Sequence, residues 1–245
     1  MPPLTPITLT IITVVRNGAA TLEQTLASVA RHSCPGVEYL VMDGASTDDT
    51  LDILQRHPET ITAWHSEPDA GIYDAMNKGV QKAQGRWILF LGCDDELAAD
   101  LTEILPLLQN PTTLYYGNAY WRHSRRTYDG PFSPAKLART NICHQATLYP
   151  RTALLKHSFN LRYRYQADWE VNMRCLSDPE FKFQYIPLTL ASYNDATGNS
   201  SLNRDLALEA DYPALLWRHF PVPIAFWYST LALGGRLLRR LHFLP

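Results

Sequence analysis

The stretch WILFLGCDD, residues 87–95, joins an uninterrupted apolar run to a pair of adjacent carboxylates. Five consecutive apolar residues are typical of a strand that is buried on both faces, as in a parallel sheet. Asp94 and Asp95 follow the end of this strand, and the carboxyl ends of parallel strands form the ligand-binding edge of an open α/β sheet. The stretch therefore predicts an α/β fold with an acidic site at one edge of its sheet.

Upstream of this stretch, strand-like and helix-like patterns alternate. The run before Asn17-Gly18 is rich in β-branched residues, and Leu22, Leu26 and Val29 then recur at helical spacing. The predicted strands cover residues 8–15, 37–42, 61–65 and 87–91, and a second clear helix covers 74–84. Consecutive units of this kind predict a mostly parallel central sheet with flanking helices.

Downstream of Leu108 the alternation is less regular. We predict mixed strands over residues 114–121 and 141–149, a helix over 168–176, a strand over 182–186, and helices over 203–220 and 225–242. The last two helices would form a C-terminal helical appendage to the sheet domain.

Composition limits the class of protein. A chain of 245 residues is long enough for one large α/β domain with a short appendage. With 22 basic and 24 acidic residues, it has no overall positive charge for gripping nucleic acid. The four cysteines are widely spaced and form no C-x-x-C pair, which favours a reducing, cytoplasmic compartment over a disulfide framework.

The C-terminal segment has two interpretations. Residues 220–235 carry no charge but are fewer than the roughly 20 that a membrane-spanning helix needs. Beyond them, leucines and arginines share a predicted helix, which suits an anionic membrane surface; the residues are Leu233, Leu237, Leu241, Arg236, Arg239 and Arg240. The alternative is a helix that packs on the sheet domain or on a second subunit of a homodimer. We predict a domain over residues 1–220 and an amphipathic segment over 221–245.

Acidic residues stand at the predicted strand ends. Asp43 ends the second strand, and Asp94 and Asp95 follow the fourth. Any of them alone could be a helix cap or part of a solvated turn. Adjacent carboxylates at a ligand-binding edge repel each other unless a cation or hydrogen-bond donors offset the charge. A hard divalent metal that bridges a diphosphate is the natural occupant.

Six motifs then support a family resemblance. They are TVVRN (13–17), DGASTDDT (43–50), SEPDAGIYDAMNKG (66–79), FLGCDD (90–95), CHQA (143–146) and ADWE (167–170). In this order they resemble the family 2 glycosyltransferases of the GT-A fold, a Rossmann-like architecture, and especially the bacterial enzymes that build exopolysaccharide, colanic-acid-type and O-antigen repeats. The sequence departs from the family's commoner Asp-x-Asp-Asp, because Gly92 occupies the first acidic position.

The resemblance implies inverting transfer of a sugar from a UDP- or GDP-sugar donor to a glycan or polyprenol-linked acceptor. It also implies Mn²⁺ or Mg²⁺ as cofactor and a peripheral position on the inner face of the cytoplasmic membrane. Asp168 would be the catalytic base, and Asp94 and Asp95 would serve the metal and the donor ribose. The candidate nucleotide-sugar-binding residues are Asn17, Asp43, Asp74, Asn77, Lys78, Asp94 and His144.

Each of these roles has an ordinary structural alternative. Asp168 could cap a helix, Lys78 could be a solvated helical lysine, and His144 could be a neutral histidine in a loop. For the whole chain, one alternative is a degenerate, non-catalytic sugar-binding or scaffold subunit. A sugar nucleotidyltransferase would normally show a glycine-rich loop with a basic residue after the first strand, which RNGAA (16–20) does not supply.

Overall fold

The computed structural model describes residues 6–128, 130–196 and 203–240, and for residues 233–240 it describes the backbone alone. The strands are β1 (Leu9–Val15), β2 (Val37–Asp43), β3 (Ala63–Ser66), β4 (Trp87–Gly92), β5 (Glu96–Leu97), β6 (Thr113–Trp121), β7 (Arg126–Tyr128), β8 (Thr147–Pro150) and β9 (Lys182–Tyr193). The helices are α1 (Leu22–His32), α2 (Thr50–Gln55), α3 (Ile72–Lys82), α4 (Leu101–Ile104), α5 (Pro134–Arg139), α6 (Arg151–Lys156), α7 (Ala167–Ser177), α8 (Leu206–His219) and α9 (Val222–Arg240).

Within the described residues, these strands form one nine-stranded sheet in the order β3-β2-β1-β4-β8-β6-β9-β5, with β7 paired to β6. The half from β3 to β4 is parallel, whereas β8 runs antiparallel to both β4 and β6. The register places Asp43 beside Val15, and Gly92 beside Val14. The carboxyl ends of β1, β2 and β4 therefore meet at one edge of the sheet, as the sequence predicts.

Both faces of the parallel half are buried. In β4, Ile88 and Phe90 pack into the core on one face, and Trp87, Leu89 and Leu91 pack into the core on the other. Alternate side chains of a strand point to opposite faces, so an uninterrupted apolar run fills both cores at once. This burial fixes β4 and, with it, the position of the acidic turn that follows.

The predicted α/β architecture is confirmed, although β8 begins six residues later than predicted and β9 ends seven residues later. The sequence interpretation missed the short elements β5, β7, α4, α5 and α6. Each spans six residues or fewer, which is too short for a helical or strand period to stand out.

The C-terminal helices pack on the rest of the molecule: α8 lies against α7 and α9, and α9 also contacts α5. In α9, Ala225 and Ser229 are buried. No described helix is both long enough and apolar enough to cross a bilayer. The predicted leucine and arginine stripe at 233, 236, 237, 239, 240 and 241 lies outside the residues whose side chains are described. The division of the chain at residue 220 stays a prediction.

Candidate active site

A cavity of about 520 Å³ lies at the carboxyl ends of β1 and β4. Its walls come from the segment after β1, the start of α3, the turn after β4 and the 3-10 turn His144–Ala146. This is the crevice in which open α/β sheets bind ligands. Of the predicted site residues, it contains Asn17, Asp94, Asp95 and His144. We call it the donor cavity, because the family resemblance predicts that a sugar donor binds here.

Asp95 is almost fully buried, at 1% exposure. Its Oδ1 accepts a 2.8 Å hydrogen bond from the backbone N–H of Asn194, and its Oδ2 accepts a 3.0 Å bond from Nε2 of Gln145. Burial raises the pKa of Asp95 to about 6, the Asn194 N–H opposes this shift, and the neighbouring charge of Asp94 adds to it. Both oxygens of Asp95 therefore have protein donors.

Asp94 is only partly buried. Its Oδ2 accepts a 3.2 Å bond from Nδ2 of Asn194, and its backbone carbonyl accepts a bond from the Arg122 guanidinium, which also pairs with Glu96. Asp94 is therefore the carboxylate of the pair that is more open to the cavity, and Arg122 and Asn194 hold it in place.

Gly92 leaves no room for a side chain. A Cβ atom at this position would lie 2.6 Å from Oδ2 of Asp95 and 3.2 Å from Oδ1 of Asp94. Contacts under about 3 Å require a shift of the backbone or of these carboxylates. The two aspartates are therefore packed against the glycine that replaces the family's commoner acidic residue.

Asp43 is buried at 2% exposure and organises the loop after β2. Its Oδ1 accepts from the Ser46 hydroxyl, while its Oδ2 accepts from the Ser46 N–H at 3.0 Å and from Ser66 Oγ at 2.6 Å. Asp43 lies at the sheet edge as predicted but does not line the donor cavity. In this structure its carboxylate accepts hydrogen bonds from other residues of the protein.

Asn17 lies where the chain leaves β1, with a positive φ of 54°. Asparagine tolerates this left-handed conformation better than most residues because its side chain can bond locally. Its Oδ1 accepts a 2.8 Å bond from the Thr47 N–H, and its own N–H donates to Ser46 Oγ at 2.8 Å. Asn17 thus ties the loop after β1 to the loop after β2 at the wall of the cavity.

The structure does not bring Asp74, Asn77 or Lys78 into the donor cavity. Asn77 exchanges two 2.9 Å hydrogen bonds with the backbone of Phe159, so both ends of its amide are engaged. Lys78 donates to the Pro68 carbonyl at 2.9 Å and pairs with Asp74 at 3.3 Å. In this structure the side chains of these three residues brace the segment that leads into α3, and the donor contacts expected of them stay a prediction.

Two arginines on the wall of the donor cavity were not identified from the sequence. Arg16 and Arg164 are both exposed, and neither makes a hydrogen bond or ion pair with another side chain in the described part of the chain. Unpaired guanidinium groups at a ligand-binding edge are suited to bind phosphate oxygens. The signal that could have identified Arg16 is its place directly after the first strand.

Asp168 lies in a second cavity of about 330 Å³, which shares His144, Gln145, Tyr165 and Tyr193 with the donor cavity. Its Oδ1 accepts a 2.8 Å bond from the Tyr73 hydroxyl. Its Oδ2 accepts from Nδ2 of Asn141 at 2.7 Å and lies 3.1 Å from Nδ1 of His144. We call this second space the acceptor-side cavity, because the family resemblance predicts that Asp168 is the base that meets the acceptor.

The alternative role of Asp168 as a helix cap is not what the structure shows. The N-cap of α7 is Gln166, and no side chain caps that helix end. The phenol that donates to Asp168 keeps its proton, because burial and the nearby carboxylate raise the pKa of Tyr73 well above its usual value. The carboxylate of Asp168 is thus held by side chains from α3, from the segment before the 3-10 turn, and from the turn itself.

A divalent cation fits this donor set. Among the described residues no three histidine, cysteine or carboxylate side chains converge on one point. Mg²⁺-type ions, however, commonly bind through one or two carboxylates together with substrate phosphates and water. The raised pKa of Asp95 beside Asp94 also indicates a region where a cation would favour the ionised pair. Asp94 has the position that a ligand to such an ion needs.

Comparison with known proteins gives consistent matches. A family model described as glycosyl transferase family 2 matches residues 10–170. The chain is 40% identical over 194 residues to the PGL/p-HBAD biosynthesis glycosyltransferase of Mycobacterium bovis BCG, a match that covers 76% of each chain. It is 38% identical over 96 residues to the putative teichuronic acid biosynthesis glycosyltransferase TuaG of Bacillus subtilis, covering 38% of each.

Solved structures share the fold. A fragment of Staphylococcus aureus TarS in complex with UDP-GlcNAc matches at a TM-score of 0.68 and 15% identity, over 96% of this chain and 73% of that one. The UDP complex of the same TarS fragment also matches, and there this protein spans 63% of the length of the TarS fragment. The mannosyltransferase PcManGT of Pyrobaculum calidifontis, in complex with GDP-Man and Mn²⁺, matches at 0.60 and 16% identity, over 94% and 80%. The predicted GT-A architecture is confirmed.

Proposed function

The chain belongs to glycosyl transferase family 2, and on that premise we propose that it is a metal-dependent, inverting glycosyltransferase of cell-surface polysaccharide biosynthesis. Its donor is a UDP- or GDP-sugar, and its acceptor is a glycan or a lipid-linked molecule. The observation that carries this proposal is the pair of adjoining cavities, with Asp94 in one and Asp168 in the other.

The donor assignment is supported by the ligands bound to the structural neighbours, UDP-GlcNAc and GDP-Man. In this chain, the donor cavity offers the leaving diphosphate two cations, Arg16 and Arg164. Charge on the leaving group is the main obstacle to cleaving the glycosyl–phosphate bond, so groups that hold this charge lower the barrier.

The metal site of the proposal is centred on Asp94. Mn²⁺ or Mg²⁺ bound there would neutralise the charge that develops on the nucleoside diphosphate. Asp95 stands behind Asp94, with its oxygens held by Gln145 and Asn194, and we assign it the role of positioning its neighbour. The match to a mannosyltransferase solved with Mn²⁺ supports a metal of this kind.

The base of the proposal is Asp168. It accepts the proton from the attacking acceptor hydroxyl, while Tyr73 and Asn141 keep its carboxylate oriented. Glycosidases need a second carboxyl group to protonate the leaving oxygen, but a diphosphate leaves without protonation once its charge is held. A single base on the side of the sugar opposite the leaving group leads to inversion at the anomeric carbon.

We also propose that the protein binds peripherally to the inner face of the cytoplasmic membrane. Large apolar side chains are exposed on α8 and α9: Trp217 at 52%, Phe226 at 59%, Trp227 at 61% and Leu231 at 53%. Aromatic side chains of this kind favour the lipid headgroup region. Sedimentation with anionic vesicles tests it. Replacing Phe226 and Trp227 together with serine should release the protein, and unchanged sedimentation would contradict this location.

The experiment for the proposed activity uses the full chain and a panel of UDP- and GDP-sugars. Nucleotide release should be detected for at least one donor with Mn²⁺ and should be lost with a chelator. Proton NMR of the product should show an anomeric configuration opposite to that of the donor. If no donor is turned over although nucleotide binds, the chain is a sugar-binding or scaffold subunit. Retention of configuration would remove the inverting mechanism.

A further inference from the structure

We propose that the acceptor-side cavity binds its substrate as a ring, a pyranose or a phenol, packed against the side chain of Tyr165. This inference rests on the proposed function and specifies the class of acceptor. It derives from two observations on Tyr165. The residue lines both cavities, and its side chain has no hydrogen-bond or aromatic partner among the described residues.

The acceptor-side cavity adjoins the donor cavity at His144, Gln145, Tyr165 and Tyr193. Asp168 lines the acceptor-side cavity and not the donor cavity. A hydroxyl that gives its proton to Asp168 and attacks a sugar in the donor cavity must therefore belong to a molecule in the acceptor-side cavity. A volume of about 330 Å³ is at the small end of ligand pockets and suits one ring with its substituents.

Aromatic side chains form much of this wall, but several of them are already engaged. The Trp169 indole N–H donates to the Leu137 carbonyl at 2.7 Å. The Trp121 ring stacks on Tyr128 with centroids 5.3 Å apart, and the guanidinium of Arg126 lies 4.3 Å from the Trp121 ring centroid. These contacts explain the positions of Trp121, Tyr128 and Trp169 without a ligand.

Tyr165 differs from them. Its side chain makes no hydrogen bond and no aromatic contact with any residue in the described ranges, and it is only partly buried. An aromatic ring that lines two cavities without a protein partner among the described residues offers its face to a second ring.

The backbone of Tyr165, in contrast, is firmly held. Its N–H donates to Oδ2 of the buried Asp205 at 2.9 Å, and its carbonyl lies 2.9 Å from the Tyr73 hydroxyl. That hydroxyl also contacts Asp168 at 2.8 Å. One phenol thus contacts both the backbone of Tyr165 and the carboxylate of Asp168, so the Tyr165 side chain is anchored next to the proposed base.

The test measures binding of four probes to the full-length protein by ligand-observed NMR, in the presence of UDP or GDP. Methyl glucoside represents the sugar ring, 4-methylphenol the phenol ring, phenyl glucoside both rings, and hexanol an open-chain alcohol. The variants are Tyr165→Leu, Tyr165→Phe and a matched control, Tyr120→Leu, whose side chain is exposed on β6 outside both cavities. The affinity of each variant for the nucleotide is measured in parallel.

We expect at least one ring probe to bind more tightly than hexanol. Tyr165→Leu should weaken it about 5-fold or more, the effect of losing roughly 1 kcal/mol of aromatic stacking. Tyr165→Phe and Tyr120→Leu should stay within about 2-fold of wild type. The probe most affected tells a pyranose acceptor from a phenol. Equal binding of hexanol, no binding of any ring, or an unchanged Tyr165→Leu variant would each overturn the inference. If wild type binds neither nucleotide, the proposed function fails instead.

Discussion

The phenolic hydroxyl of Tyr73 donates a 2.8 Å hydrogen bond to Oδ1 of Asp168. These residues are 95 positions apart in the chain and belong to two separate motifs, SEPDAGIYDAMNKG and ADWE. The contact explains why a tyrosine stands at the start of α3: it reaches across to hold the proposed base. A buried carboxylate with fixed donors on both oxygens is oriented before any acceptor arrives.

The two adjacent carboxylates, Asp94 and Asp95, should have different roles in metal binding. Asp94→Asn should abolish most of the gain in nucleotide affinity that Mn²⁺ provides, because Asp94 is the proposed ligand. Asp95→Asn should reduce this gain about 10-fold, as expected for a residue that positions a ligand. Calorimetric titration of UDP and GDP with and without Mn²⁺ is the measurement. Equal metal dependence in wild type and in both variants would remove the metal from this site.

Gly92 gives a prediction about stability. Gly92→Ala should lower the free energy of unfolding by about 1–3 kcal/mol, because the new methyl group would lie 2.6 Å from an oxygen of Asp95. Gly92→Asp, which restores the family's commoner residue, should destabilise the protein further by adding a third carboxylate. Chemical denaturation measures both. A stable, more active Gly92→Asp variant would show that the two aspartates can move apart.

Arg164 should bind the diphosphate. Arg164→Ala should weaken UDP or GDP binding about 10- to 100-fold, the range for one charge-assisted hydrogen bond of 1.5–3 kcal/mol. The affinity for the bare nucleoside should not change. Arg162→Ala is the matched control, since this arginine pairs with Asp211 at 3.2 Å and lies outside the donor cavity. Equal losses for nucleoside and diphosphate would assign Arg164 to another part of the donor.

The partly buried His219 should make the stability of the folded protein depend on pH. Burial, helped by Arg218 and Arg174, lowers the pKa of His219 to about 4, and its Nε2 has no hydrogen-bond partner among the described residues. As the pH falls, the unfolded chain therefore binds a proton at this histidine near pH 6.5, whereas the folded protein binds it only near pH 4. Stability from this group is complete above about pH 6.5 and is lost as the pH falls towards 4.

The measurement is the melting temperature of wild type and of His219→Gln between pH 4 and 8. Glutamine can still bond to Ser177, which lies 2.7 Å from Nδ1 of the histidine, but cannot be protonated. The melting temperature of wild type should fall more steeply than that of the variant between pH 6.5 and 4. Parallel curves would show that His219 titrates normally in the folded protein.

Much of the fold could be predicted from the sequence because its strongest signals are long. The apolar run before Gly92 fills two cores, and its carboxyl end sets the position of Asp94 and Asp95. The short elements β5, β7, α4, α5 and α6 could not be predicted, since packing against the sheet decides them and no period is visible in so few residues. The helix α5 is one of these. Its cap, Ser133, precedes Pro134, and a Ser-Pro pair is too common to predict a helix start.

The candidate site was predictable in part, because motif position does not tell which way a side chain points. Asn17, Asp94 and His144 reach the donor cavity, whereas Asn77 and Lys78 turn to backbone carbonyls instead. Arg164 and Tyr165 could not be found, because they lie on an irregular segment that only tertiary contacts bring to the site. Asp205 holds that segment from a distance of 40 residues along the chain.

The rate of sugar transfer by Asp168→Asn shows whether Asp168 is the base. The asparagine keeps the shape of the side chain but cannot accept the acceptor's proton, so transfer should slow by roughly 10² to 10⁴-fold. Donor affinity should hardly change, because Asp168 does not line the donor cavity. Asp178→Asn, at the far end of α7, is the control and should transfer at the wild-type rate. A near wild-type rate for Asp168→Asn would show that Asp168 is not the base.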